Sequence, residues 1–359
     1  MDDAVRTPLH ERLEALGGTF QNDDGWWWIQ GLGDWEAEYR AVRTDVGVWD
    51  LSPLVKWDFR GPDALAAANH VNGNDLMTLA IGQVRYGPLL NETGGVVDDA
   101  TTYRVSEDRV LVMTNGQRHE DYWAEHLSAY DVTVSNIVRQ MPHLSIQGPR
   151  SREVVQSLTD IDLSTLGYFR FVPEPVIVGG ATGILARTGY GGEMGYEFFT
   201  DAEGMVTLFD ALVGLGVTPF GTAAIYPLRI EAGLVIAGLD YDPGVTTPYD
   251  CGLERFVKLG KGDFVGRDAL VPIAADPPSV YRTLLFDGEL PERRTPVLRD
   301  GVEIGTFRAG STSPAFGVLG SAVLRAGSVD DGAVVEVGGV SATVAPWCVY
   351  DPEKKRPRA

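Results

Sequence analysis

Two adjacent carboxylates, Asp98 and Asp99, follow a glycine pair in the stretch running from Tyr86 through Gly94, Gly95, Val96 and Val97 to Arg104. A missing Cβ removes the clash at positive φ, so Gly94 and Gly95 are expected to supply a tight hairpin turn. Val96 to Arg104 is rich in β-branched residues and reads as a strand. Side chains alternate across a strand, so Asp98 and Asp99 point to opposite faces. One carboxylate is then free to face water while the other faces inward, where burial and neighbours tune its proton affinity. On the local sequence alone, a hairpin with both acids solvated is the plainer reading.

Other familiar chemistries lack their residues. Gly189-Tyr-Gly-Gly-Glu-Met-Gly195 is rich in glycine, but Tyr196-Glu-Phe-Phe199 continues as strand instead of the helix a phosphate loop requires. No lysine-bearing phosphate loop and no Gly-x-Ser-x-Gly turn occurs. Among the five histidines only His119 and His126 have a spacing to weigh, seven apart on an expected helix, and they read as surface residues. Cys251 and Cys348 are too few for a disulfide framework or a cysteine metal site.

The elements that must position these groups fit in 359 residues with 44% hydrophobic content, enough for two or three domains. No apolar run approaches the ~20 residues of a membrane span. The N-terminal residues are polar and carry no signal-peptide core, so a cytoplasmic protein is expected. The formal net charge of −20 argues against nucleic acid, anionic membranes and acidic protein partners. Any anionic ligand needs a local arginine. The sequence sets no oligomeric state.

Helices are expected over 7–17, 33–43, 62–71, 116–129 and 202–215, and strands over 55–60, 110–115, from Leu144 and over 176–188. The tryptophan run Trp26 to Trp28 falls in a turn-rich segment. Strands and helices mix without strict alternation, which favours an α+β arrangement. Residues 271–279, with three prolines, read as a linker, and 280–350 as a small barrel or sandwich of short strands. The basic tail Lys354 to Arg358 reads as a solvated terminus. Two regions result, 1–270 and 280–359.

Several segments match known wording in order: Gly94 to Asp99, Gln147-Gly-Pro149, Thr188-Gly-Tyr-Gly-Gly-Glu-Met-Gly-Tyr-Glu197, Leu228-Arg-Ile-Glu-Ala-Gly-Leu234, Thr246-Thr-Pro248, Asp263 to Leu270, Ser311-Thr-Ser-Pro314 and Gly317-Val-Leu-Gly320. Together they resemble the tetrahydrofolate-dependent aminomethyltransferase family, the glycine-cleavage T-protein and its folate-dependent demethylase relatives. The resemblance covers nearly the whole chain. It implies two interwoven α+β units and a C-terminal β-barrel, three lobes around a central folate channel. An iron–sulphur-assembly branch carries a Lys-Gly-Cys-Tyr motif that is missing here, where Gly262-Asp-Phe-Val265 stands.

By resemblance, Glu197 accepts from the amide and amino edge of the pterin, with Tyr190 nearby. Asp99 lies by the reactive N5 and N10 nitrogens, where it orients folate and stabilises developing positive charge. Tyr86 and Asn115 match pterin contacts. Arg229 pairs with a folate carboxylate or buttresses Glu231.

The departures point to the donor side. Where T-proteins carry Ala-Arg-Asp, this chain has Ala224-Ile225-Tyr226; where they carry Ser-His-Met-Gly, it has Ser52-Pro-Leu-Val55. The loss of a polar group at Ile225, with the acidic surface, makes a lipoyl carrier an unfavoured partner. The expectation is therefore a demethylase moving a methyl or methylene group from a small methoxy-aromatic or N-methyl donor to tetrahydrofolate. Tyr226 would protonate the leaving group, with Tyr249 in reserve. Trp28, Trp49, Ile225 and Tyr249 would form the donor wall. The alternatives are a glycine-cleavage aminomethyltransferase using an aminomethyl-lipoyl carrier, and a folate-binding regulator without catalysis.

Overall fold

The structure is a computed structural model and describes residues 4–359; Met1 to Asp3 of the polar N-terminus lie outside it. Three sheets form the frame. A five-stranded sheet has the order Val84–Leu90, Val96–Arg104, Arg109–Thr114, Val55–Arg60, Thr133–Asn136. A six-stranded sheet has the order Val176–Val178, Ala181–Ala186, Gly195–Phe199, His143–Gln147, Gly47–Asp50, Thr218–Pro219. The third sheet, from Ser279–Phe286 to Val340–Ala345, closes into a six-stranded barrel. Strand Gly47–Asp50 precedes the whole five-stranded sheet in the chain, yet it pairs antiparallel with His143–Gln147 in the other. That insertion interweaves the two α+β units, as expected.

The elements follow from their residues. Helix Ala202–Gly214 buries Met205, Leu208, Phe209 and Leu212, spaced on one face, and Asp201 caps it by accepting from the Gly204 N–H at 2.8 Å. Helix Trp35–Thr44 is capped by Asp34 in the same way and buries Tyr39, Val42 and Arg43. In the barrel, Leu284, Phe307, Leu324, Val337 and Val344 point inward and fill the interior.

Three expectations about elements are corrected. Trp26 to Trp28 lie in strand Trp26–Gly31, which pairs with Thr19–Asp23 around a turn at Asp24 and Gly25. The aromatic residues favour extended backbone once a partner strand is present. The expected linker is largely helix, since Arg267–Ala275 continues through Pro272 and buries Leu270. The basic tail is not free. Arg356 reaches Glu193 at 3.4 Å, Lys354 donates to the Ala232 carbonyl, and Pro357 is buried. Buried acceptors on the main body outweigh hydration of that tail.

Candidate active site

The hairpin presents its two acids differently from expectation. Only Gly94 has a positive φ, +78°. Gly95 is required for another reason: a Cβ there would lie 2.3 Å from the Gly244 carbonyl oxygen. That close approach lets Gly244 N–H donate to Val96 O (2.7 Å) and Val96 N–H to Thr246 O (2.8 Å), locking loop 240–246 onto the strand carrying the acids.

Neither acid faces water. Asp98 is 1% exposed and Asp99 8%. The faces do alternate, but the outer one is roofed by residues 115–119. Asp98 accepts from the N–H groups of Asn115 (3.1 Å) and Gly116 (2.8 Å) and from the Asn115 side-chain amide (2.8 Å). It also lies 2.8 Å from His119 Nε2. His119 is thus buried, against Trp57 and Trp123, and not a surface residue. A carboxylate demanding donors drew it inward.

Asp99 faces the space between the two α+β sheets. Its Oδ2 accepts from Tyr86 OH at 2.9 Å, and its Oδ1 from Tyr241 OH at 2.5 Å and Asn115 Nδ2 at 3.2 Å. Tyr86 pairs with Thr101 in the ladder, so it reaches Asp99 diagonally across one face. Burial, with Asp98 next to it, pushes the Asp99 carboxyl up to about 7 against the pull of these donors.

Glu197 sits on strand Gly195–Phe199, 5% exposed, and accepts from the hydroxyls of Thr188 and, at 3.2 Å, Tyr103. Burial raises its proton affinity too. Tyr103 shares a strand face with Asp99 four residues away, roughly 13 Å along the strand. The Tyr103–Glu197 bond therefore shows that Asp99 and Glu197 look into the same inter-sheet space from opposite sheets. Lys56 is fully buried near Glu197, where burial depresses its ammonium to about 7 despite Asp50 and Glu197. The glycines of the 188–197 motif make room for Gln147: a Cβ on Gly189 or Gly195 would come within 2.0–2.2 Å of its amide.

The remaining expected residues divide. Half-buried Tyr190 donates to the Val235 carbonyl; burial raises its proton affinity, Arg229 opposes that, and Asp99 adds to it. Tyr226 is half-buried on helix Thr222–Glu231. Tyr249, like Tyr86 and Phe256, packs against the buried cluster that contains Tyr241, Leu253 and Phe264. Trp28 and Trp49 meet at 6.2 Å between ring centroids. Two assignments fail. Arg229 is 1% exposed and its Nη1 pairs with Asp240, so its charge is partnered there and not by Glu231. Ile225, 1% exposed, belongs to the core beneath the six-stranded sheet and lines no donor wall.

Glu231 instead pairs with Arg43 at 2.6 Å and accepts from Tyr39 OH (2.9 Å) and Ser313 OH (2.6 Å). This network explains why the Glu-Ala-Gly and Ser-Thr-Ser-Pro motifs occur in one chain: the second docks the barrel on the first. Tyr241, Asp240 and His119 were missed. The Asp240-Tyr-Asp242 triplet was the available signal, because polar residues spaced by one point to one side.

The site consists of two buried carboxylates on facing sheets, each hydrogen-bonded to neutral donors, with the aromatic rings of Tyr86, Tyr103 and Tyr241 among them. The family model described as GCVT N-terminal domain matches residues 9–261, and the chain belongs to that family. It is similar to proteins named aminomethyltransferase: 35% identical over 349 residues to that of Moorella thermoacetica (94% of each chain), 34% over 341 to that of Herpetosiphon aurantiacus (92% and 93%) and 32% over 364 to that of Listeria welshimeri (99% of each). Among solved structures it is similar to the glycine cleavage system aminomethyltransferase T from Bartonella henselae, at 25% identity and a TM-score of 0.86, covering 96% of this chain and 98% of that one.

These findings overturn the demethylase expectation and the exclusion of a lipoyl carrier that accompanied it. The substitution at Ile225 lies in packed core, so it reports nothing about the donor. A net charge of −20 is a sum over the whole surface and does not describe the patch a carrier would meet. Tyr226 loses its role as acid for a phenolic leaving group with that reading.

Proposed function

We propose that this chain is an aminomethyltransferase of the cytoplasm. It takes the methylene carbon of an aminomethyl group held on a lipoyl carrier, passes it to tetrahydrofolate and releases ammonia. The observation that carries this is the pair Asp99 and Glu197, facing one space from opposite sheets with hydroxyls and an amide as their partners among the described residues. A reduced pterin fits such a site, because buried carboxylates whose hydrogen bonds come from neutral donors, with Lys56 near Glu197, are suited to further N–H groups. Tetrahydrofolate, when bound, supplies the two amine nitrogens that receive the carbon. The balance closes: the carbon–sulfur and carbon–nitrogen bonds of the donor break, and the carrier thiol and ammonia take up the two protons given by those amines.

The chain's residues hold and orient. Glu197 takes the amide and amino edge of the pterin, while Tyr86, Asn115 and Tyr190 fix the ring beside Asp99. Ionised Asp99 stabilises positive charge on nitrogen as the carbon transfers. Trp28, Trp49, Tyr226 and Tyr249 border the donor side. Placing both reactants in line supplies up to ~7–11 kcal/mol of the barrier. Region 1–270 holds folate and 280–359 is the barrel domain in this reading. Mixing the protein with aminomethylated lipoyl carrier and tetrahydrofolate should release ammonia in proportion to methylene transfer; no ammonia above the folate-free control would contradict the proposal.

A further inference from the structure

We propose that Tyr241 is a positioning residue that aims the Asp99 carboxylate and, anchored in the barrel through its two neighbours, sets the pH range in which that carboxylate is charged. The inference rests on the reading of Asp99 above.

Tyr241 is fully buried, and its hydroxyl donates to Asp99 Oδ1 at 2.5 Å. The residues on either side face the barrel. Asp240 accepts from Tyr281 OH (2.5 Å) and Ser321 OH (2.6 Å) and is paired with Arg229. Asp242 is paired with Arg294 at 2.8 Å and Arg308 at 3.0 Å. Arg308 also donates to the Asp240 carbonyl, at 3.0 Å. The backbone around Tyr241 is closed by Gly238 N–H donating to its carbonyl at 2.9 Å. The loop is thus held to the barrel at Asp240 and Asp242 and to the acid-bearing strand at Gly244 and Thr246, so the phenol is fixed relative to Asp99, holds one carboxylate oxygen in place and leaves Oδ2 to Tyr86.

A hydroxyl donating to a carboxylate favours its charged form. The groups facing Asp99 from every packed element divide by sign. Asp98, on its own strand, favours the neutral form, and burial acts the same way. Tyr86 from the neighbouring strand, Asn115 from the loop after Arg109–Thr114, and Tyr241 favour the charged form. His119 and the 115–116 amides act one step away, through Asp98. Tyr190 and Cys251 lie near and are neutral acids. Tyr241 is the donor whose placement the barrel controls.

The test is Tyr241→Phe, which keeps the ring and removes only the hydroxyl. The limb of kcat/KM for ammonia release that reflects Asp99 ionisation should move up by about 1 pH unit, with about a tenfold loss below the limb and much less above it. A limb that coincides with that of the unsubstituted protein would overturn the inference while leaving the proposed function intact. An inactive unsubstituted protein would instead strike at the function. A second measurement needs no turnover: the infrared carboxyl band that disappears in Asp99→Asn should titrate about 1 unit higher in Tyr241→Phe, and an unshifted titration would overturn the inference.

Discussion

Replacing Asp99 by Asn should lower kcat/KM for ammonia release by ~10²–10³, the scale on which a preorganised electrostatic partner of the transition state is missed. The substitution is nearly isosteric, and the amide can keep the hydroxyl bonds of Tyr86 and Tyr241 by rotating their protons, so folding should survive. What disappears is negative charge beside the reacting nitrogens. The pH profile separates this from a packing defect. Burial and Asp98 raise the Asp99 carboxyl to about 7, so activity that needs its ionised form should rise with pH through about 7. In Asp99→Asn that rise should be absent. Rates measured from pH 5.5 to 8.5 check both points; a variant that keeps the full rate, or the same limb, would remove Asp99 from the chemistry.

The largest effect on stability should come from Asp240→Asn. Arg229 and Asp240 are 1% and 0% exposed in their side chains and pair directly. Asp240 also collects the hydroxyls of Tyr281 and Ser321 and the Ile236 N–H at 2.8 Å. Neutralising the acid leaves a guanidinium buried without a counter-charge, and arginine cannot shed its proton to escape. Breaking such a pair typically costs ~3–5 kcal/mol, more than any exposed pair in the chain could. Denaturant unfolding of the variant should show a loss of that size, whereas Arg12→Ala, which breaks an exposed pair with Asp210, should stay within ~1 kcal/mol. Equal losses for the two variants would contradict this account of the barrel's docking.

Much of the frame was legible from periodicity and turn residues. Strand Val55–Arg60 matches the expected 55–60, and helix Ala202–Gly214 falls within the expected 202–215. The mixed α+β order was legible for the same reason, because it depends only on which local patterns follow one another. Long-range facts were not. Nothing in the tryptophan run announces its partner Thr19–Asp23, and Pro272 hides a helix because proline's usual reading is a break.

At the site, the acids themselves were legible but their surroundings were not. Alternation separates Asp98 from Asp99; it cannot say that residues 115–119 fold over the outer face and bury His119 against Asp98. Arg229 illustrates the opposite error. Its motif was recognised, but an arginine beside a ligand and one locked to a distant Asp240 look the same in sequence. Ile225 shows how a substitution in a familiar stretch misleads when its side chain points into the core. The most instructive miss is Tyr241, more than a hundred residues from the carboxylate it touches.

If Glu197 and Asp99 grip one ligand from opposite sheets, loss of either carboxylate must weaken its equilibrium binding. Titrating tetrahydrofolate into the unsubstituted protein and into Glu197→Gln should show saturable binding in the first and ~10–100-fold weaker binding in the second, as expected for losing a charged acceptor. Equal affinity in the two proteins, or no binding in either, would contradict it.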